Sequence, residues 1–330
     1  MTKTLLVTGG AGFIGSCFVR HILNTHADYK VINLDVLTYA GNIENLCDVQ
    51  KNPNYRFVQG NICDKKLVRE LISESDAVIN FAAESHVDRS ITGPEIFIET
   101  NVQGTLNLLQ ASKELGIERY LQVSTDEVYG SLGKTGYFYE TTPIQPNSPY
   151  SASKAGADLL VRAYFETYKL PVLTTRCSNN YGPYQYPEKL IPFFISQLLK
   201  GEKVPVYGDG LNVRDWLYVY DHCSAIDTVL HKGQVGEVYN IGGHNEKTNM
   251  EITKIILEAM GKDESSIKYV EDRLGHDKRY AIDNEKIQTQ LGWEPSLTFE
   301  EGIKLTIDWY LNNQNWMKTV EAKRLRGLEV

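Results

Sequence analysis

The sequence predicts an α/β fold, a doubly wound parallel sheet followed by a smaller C-terminal α/β lobe. Three observations carry this. A Gly-rich turn, Gly9-Gly10-Ala11-Gly12-Phe13-Ile14-Gly15, lies between a short apolar run and a helical stretch. Five further β-rich runs alternate with helical stretches up to Arg176. Polar clusters follow the carboxyl ends of these runs, the edge at which open parallel sheets bind ligands.

The elements follow in order. Thr4–Thr8 reads as a buried strand and Ser16–Asn24 as a helix, so the Gly-rich turn joins strand to helix. That context marks a Rossmann-type dinucleotide site: glycines let backbone approach a pyrophosphate, and the helix N-terminus faces its charge. The plainer alternative is a Gly-rich turn without a ligand. Val31–Asp35 is the second strand, and Asp35 closes it 20 residues after Gly15. A carboxylate there accepts from ribose hydroxyls and repels a 2′-phosphate, which favours NAD over NADP. Tyr55–Gln59 is the third strand, with Asn61 and Ile62 placed to meet an adenine. Ala77–Ala83 is the fourth, and its small residues, Ala82 and Ala83 among them, admit a cofactor closely. His86 and Asp88 follow, either as a catalytic pair or as residues ordering a loop.

A long helix is predicted over Asn101–Leu115 and a strand over Arg119–Val123. Ser124-Thr125-Asp126-Glu127-Val128-Tyr129-Gly130 comes next. Adjacent carboxyls titrate together, so one can stay protonated beside an ionised partner, as a general acid beside a general base. The plainer reading is a solvated acidic turn. Side chains alternate along a strand, so Asp126 and Glu127 share a site only if the strand ends or kinks there. After Pro149 the spacing puts Tyr150 and Lys154 on one helix face, with Asn147 or Ser148 as cap. A Lys cation beside a phenol favours the phenolate, so Lys154 is expected to lower the pKa of Tyr150. Alone, such a pair is surface decoration. Behind a dinucleotide turn it points to proton abstraction.

Val172–Arg176 is the sixth strand, and Cys177–Pro183 reads as a polar, turn-rich exit. Helices are expected at Leu190–Lys200, Asp221–Leu230, Asn249–Met260 and Thr298–Leu311, with strands at Val204–Tyr207 and Arg214–Val219. The basic stretch Arg273–Tyr280 reads as a solvated loop or, with Arg214, as a diphosphate clamp. The tail from Lys318 is expected to be peripheral. Expected boundaries are 1–176 for the NAD-binding domain, with a return segment at about 211–241, and 177–210 plus 242–330 for the substrate lobe.

The 330 residues suffice for these two units. A net charge of −8 argues against nucleic-acid or anionic-membrane partners. The five Cys are scattered and the seven His show neither HExxH nor paired spacing, so reduced thiols and no metal site are expected. No apolar run resembles a leader or a membrane span, which predicts a cytoplasmic protein.

From Lys3 to about Trp316 the chain resembles the extended short-chain dehydrogenase/reductases that modify nucleotide sugars. The resemblance rests on Gly9–Gly15, Leu34–Asn42, Ala82–Asp88, Ser124–Gly130, Tyr150–Lys154 and the Arg214 and His276 regions. Within that group the Thr125-Asp126-Glu127 triplet is similar to that of the 4,6-dehydratases. Epimerases lack the acid pair, and GDP-mannose dehydratases keep the Glu but usually not the Asp. The resemblance implies dTDP-glucose as substrate, NAD as a retained cofactor and a homodimer built from helices 101–115 and 150–168. It implies that Tyr150, held by Lys154, takes the 4-hydroxyl proton, that hydride passes from C4 to NAD, and that Thr125 binds the C4 oxygen. Glu127 then takes the C5 proton, Asp126 protonates the leaving 6-hydroxyl, and hydride returns to C6. It adds Thr38, Ser85, Thr100, Ser124 and Asn180 to the cofactor set. For the substrate it implies Ser85, Asn179, Glu188, Lys189, Leu190, Pro205, Tyr207, Arg214, Asn249, Arg273, His276 and Tyr280. Asn61, Val36 and Leu274 stand where the family usually has Asp, Lys and Pro. Two rivals stay open: a nucleotide-sugar 4-epimerase or a dehydratase of a UDP-sugar, which keeps Tyr150 and Lys154 but needs no acid pair, and a non-catalytic NAD-binding sensor, which needs neither that pair nor Tyr150 and Lys154.

Overall fold

β1 (Lys3–Thr8) enters the centre of a seven-stranded sheet and α1 (Phe13–Thr25) returns along one face. The computed structural model describes residues 3–272 and 276–327. β2 (Tyr29–Asp35) and β3 (Tyr55–Gln59) extend the sheet to one side. β4 (Ala77–Asn80), β5 (Arg119–Thr125) and β6 (Val172–Cys177) extend it to the other. Helices α2 (Lys65–Ser73), α3 (Val87–Thr92), the single turn α4 (Glu95–Phe97), α5 (Thr105–Leu115) and α6 (Pro149–Tyr168) intervene. The order is β10-β6-β5-β4-β1-β2-β3, with β10 (Val238–Ile241) at the edge and every pairing parallel. Strand order reverses between β1 and β4, the switch point at which such sheets bind ligands. One apolar core packs α1 and α8 (Val219–Lys232) on one face; a second packs α2, α5 and α6 on the other.

Several expectations needed revision. β4 stops at Asn80, so Phe81, Ala82 and Ala83 leave the sheet. The helix expected from Asn101 begins earlier, as a wide π-type segment, Ile98–Gly104. Asn101 explains that bulge: its side chain accepts from Glu84 N (2.9 Å) and donates to Glu84 O (3.0 Å) and Ser153 Oγ (2.8 Å). The exit after β6 contains a strand, β7 (Asn179–Tyr181). It pairs with β9 (Val213–Tyr218), which in turn pairs with β11 (Glu246–Thr248). Residues 211–241 therefore divide, β9 going to this small sheet and α8 with β10 to the large one. β8 (Val204–Tyr207) pairs with β12 (Ile267–Val270). The second lobe's core joins these strands to α7 (Leu190–Leu199), α9 (Asn249–Ala259) and α11 (Phe299–Asn312). α10 (Glu285–Leu291) packs back onto the large sheet.

The tail is not peripheral through Lys323. α12 (Gln314–Gly327) buries Met317 and Val320. Trp316 Nε1 donates to Asn45 Oδ1 (2.9 Å), and Lys323 Nζ donates to Asn42 Oδ1 (2.9 Å), so the end of the chain clasps the loop after β2. The apolar stripe 316-317-320 was present in the sequence but sits among charges that masked it.

Candidate active site

One cleft of about 360 Å³ runs along the carboxyl edge of the sheet. Its first half is backbone. Gly9 leaves β1 at φ +71°, and a Cβ there would lie 2.7 Å from Ala82 N. A Cβ at Gly15 would lie 2.2 Å from Gly9 O. Gly12 precedes α1, and no side chain caps the helix. The amide end of α1 therefore faces the cleft as an anion site. Asp35, buried at the end of β2, accepts from Ala11 N (2.9 Å) and Leu37 N (2.8 Å). Burial pushes its carboxyl up against those two backbone bonds, which favour the ionised form. Ser124 Oγ lines the same cleft, buried and with no hydrogen-bond partner among the described residues. Bare helix amides, a carboxylate at the second strand and an unpartnered hydroxyl at the fifth suit a dinucleotide.

The second half is side chain. β5 ends at Thr125, and Asp126–Tyr129 wind at once into a 3₁₀ turn closed by Gly130 at φ +90°. Thr125 Oγ1 accepts from Glu127 N (3.3 Å) and donates to Asp126 Oδ1 (3.3 Å). This ending is how two neighbouring acids line one cleft. Asp126 is 2% exposed, and its Oδ2 has no partner among the described residues. Burial, then the charges of Glu127 and Asp215, push it well above the usual carboxyl range; Arg214 pulls the other way. An acid that keeps its proton beside a second carboxyl is placed to act as a proton donor.

Ser148 caps α6 through a reciprocal pair with Ser151, which sets Tyr150 in the first turn. Lys154, one turn on, donates to Val123 O at 2.8 Å. Burial pushes this ammonium down. The expectation that Lys154 lowers the Tyr150 pKa does not hold in the protein alone. Burial, then Glu127, Cys177 and Asp126, push the phenol well up; only the hydrogen bond with Thr125 opposes them. The cation is spent on the Val123 carbonyl, and the phenol sits beside two acids.

Every residue assigned above to catalysis or to the cofactor lines this cleft, as do Asn179, Glu188 and Lys189 of the substrate set. Leu190, Pro205, Tyr207, Arg214, Asn249, His276 and Tyr280 do not. Arg214 nevertheless meets the loop that ends at Tyr280. Arg214 Nη2 donates to Asp277 O (3.0 Å), and its guanidinium lies 4.3 Å from the centre of the buried Tyr280 ring. His276 pairs with Asp272 (2.6 Å) and meets Tyr207 edge-on. Arg273 and Leu274 lie outside the described residues. His86 orders the loop: its Nδ1 accepts from Arg89 N at 3.4 Å as a helix cap, and its Nε2 lies 3.7 Å from Glu188.

Sequence reasoning missed a buried network behind the acids. Arg176 Nε donates to Asp158 Oδ2 (2.9 Å) and Nη1 to Tyr129 OH (3.0 Å), which donates to Asn240 Oδ1 (2.8 Å). It ties the 3₁₀ turn to α6, β6 and β10. Asp158 lies at i+4 from Lys154, and that spacing was the available signal.

The family model described as GDP-mannose 4,6 dehydratase matches residues 6–306. A dTDP-glucose 4,6-dehydratase of Xanthomonas campestris pv. campestris (strain B100) is 57% identical, covering 96% of this chain and 95% of that protein. The chain belongs to the dTDP-glucose 4,6-dehydratase family. Among solved members, the dTDP-glucose 4,6-dehydratase of Bacillus anthracis str. Ames, in complex with NAD, is 56% identical with a TM-score of 0.91, covering 96% of this chain and 99% of that one. The dTDP-glucose 4,6-dehydratase of Streptomyces venezuelae, with NAD and TYD bound, is 53% identical with a TM-score of 0.94 over the same shares. Membership of the dTDP-glucose 4,6-dehydratases fits the paired acids that end β5.

Proposed function

We infer that the chain converts dTDP-glucose to dTDP-4-keto-6-deoxyglucose and water, with NAD as a retained cofactor and a place in deoxysugar biosynthesis of the dTDP-rhamnose type. One observation carries this reading: β5 ends at Thr125, so Thr125, Asp126 and Glu127 line the same cleft as Tyr150 and Lys154. A redox-neutral dehydration needs a base for the alcohol, a base for the C5 proton and an acid for the leaving hydroxyl. Tyr150, Glu127 and Asp126 supply them.

Gly9, Gly12, Gly15 and the α1 amides hold the pyrophosphate, and Asp35 holds the adenosine ribose. NAD, when bound, supplies a cationic hydride acceptor for C4 and returns the same hydride to C6. Thr125 positions the C4 oxygen while Tyr150 takes the hydroxyl proton. Burial, and then Glu127, hold the phenol protonated until positive charge enters the cleft, while Lys154 anchors to the Val123 carbonyl. Glu127 removes the C5 proton, made acidic by the 4-keto group. Asp126 gives its proton to the departing 6-hydroxyl, and as C6 regains hydride the Glu127 carboxyl, its proton exchanged with solvent, protonates C5. Glu188 and Lys189 sit on the sugar side, and Arg214, with Tyr280 and the loop before it, on the diphosphate. Residues 1–176 with α8 and β10 form the NAD half, and the remaining strands and helices the substrate lobe. The exposed Leu159 and Tyr168 of α6 support a homodimer through this helix. Five free cysteines support a cytoplasmic location.

The test is purified protein with dTDP-glucose and no added NAD, in deuterated water. The reading expects the 4-keto-6-deoxy product with deuterium at C5. A 4-epimer, or no product even with added NAD, refutes it.

A further inference from the structure

The end of the large sheet opposite the cleft carries a cluster that the chemistry above does not use. α1 and α8 both run back from the carboxyl edge, so their last turns meet at the amino edge. There three imidazoles converge on one carboxylate. His21 Nε2 lies 3.0 Å from Asp227 Oδ2. His26 Nε2 lies 3.0 Å from both Asp227 oxygens. His231 Nδ1 lies 2.8 Å from Asp227 Oδ1 and 2.8 Å from its backbone carbonyl. Ligand atoms of His26, Asp227 and His231 all fall within 4.8 Å of one another.

We propose that His26, Asp227 and His231, with His21 as a fourth donor, form a binding site for a divalent transition-metal ion, remote from the active site. Asp227 and His231 stand at i and i+4, the spacing that sets two ligands on one helix face. His21 lies just before the last turn of α1 and His26 is its C-cap, so the ion bridges two helices some two hundred residues apart in sequence. The donor set is imidazole and carboxylate without thiolate. This suits Zn²⁺, Co²⁺, Ni²⁺ or Cu²⁺ and excludes a preference for Ca²⁺ or Mg²⁺, which take oxygen ligands. Asp227 is only 13% exposed and the imidazoles 20% to 32%, so the site is partly dry yet open to solvent. Tyr29 OH lies 2.7 Å from His231 Nε2, the outer hydrogen bond that orients a metal-binding imidazole. On binding, each ligating imidazole turns a nitrogen lone pair to the ion and carries its N–H on the other ring nitrogen. The sequence offered no metal-binding spacing because two ligand pairs, each unremarkable alone, meet only in the fold.

The experiment uses full-length, tag-free, chelator-stripped protein titrated with Co²⁺ and then Zn²⁺. Visible absorption and calorimetry follow binding. The expected result is one ion per chain with micromolar affinity, a visible Co²⁺ band displaced by Zn²⁺, and at least about tenfold weaker binding in His26→Gln and in His231→Gln. Both variants keep dTDP-glucose turnover, which also shows that they fold. Zn²⁺ raises the Tm of the parent protein but not of the variants. No Co²⁺ band at millimolar metal, or equal binding in parent and variants, overturns the proposal.

Discussion

At the end of β1 the cleft wall is bare backbone, whereas at the end of β5 it is a knot of side chains. The first half works by leaving atoms out: no Cβ at Gly9 or Gly15, no capping side chain on α1. Its one acid, Asp35, is held by two backbone amides. The second half works by crowding. Asp126 is buried like Asp35, but its hydrogen bond among the described residues comes from the Thr125 hydroxyl rather than a backbone amide, and it faces a second carboxyl. A carboxylate satisfied by amides is a fixed binding group. A carboxyl denied them is a proton donor in waiting. The same residue type thus serves recognition at one strand end and chemistry at another, according to what the neighbouring backbone offers.

This contrast predicts that isosteric changes break the second half and added atoms break the first. Tyr150→Phe should lower turnover by about 10³-fold or more while the protein still copurifies with NAD. Measured turnover beside bound-cofactor stoichiometry checks it. Asp126→Asn should slow turnover by about 10²-fold and yet stabilise the fold. The sign follows from the upward shift of Asp126. Between the usual carboxyl range and its raised value, the folded protein binds the proton that the unfolded chain has lost. Stability therefore falls as pH rises through that window. Asn has no proton to lose, so the variant's advantage in denaturant unfolding grows with pH. An advantage that shrinks with rising pH would break the comparison. Gly15→Ala, with its Cβ 2.2 Å from Gly9 O, should cost about 2 kcal/mol and empty the protein of NAD during purification. Tyr150, Asp126 and Glu127 would remain in place.

The contrast also marks what the sequence reveals. Glycine spacing and Asp35 are local signals, and the backbone half was legible from them. The α/β order was legible too, because six of the seven central strands announce themselves as apolar runs. β10 and β7 were not: β10 has only four residues and β7 is a polar Asn-Asn-Tyr, so their strand character comes from the neighbours they pair with. Thr125, Asp126, Glu127, Tyr150 and Lys154 were legible as types and spacing. Their protonation was not: burial first, then Glu127, Cys177 and Asp126, push the Tyr150 phenol up, and burial is a property of the fold. The Asp158–Arg176–Tyr129 network and the histidine cluster on Asp227 join residues distant in sequence, so no window along the chain displays them.

The account's central claim is that the turn after β5 performs the elimination while Tyr150 performs the oxidation. The direct measurement is a single turnover of Glu127→Gln with dTDP-glucose, following reduced-nicotinamide absorbance. The account predicts that reduced cofactor forms at close to the parent rate and then persists, because the C5 proton stays in place and elimination is slowed by about 10²-fold. Parent-like decay of that absorbance with normal product formation would contradict it and remove Glu127 from the chemistry.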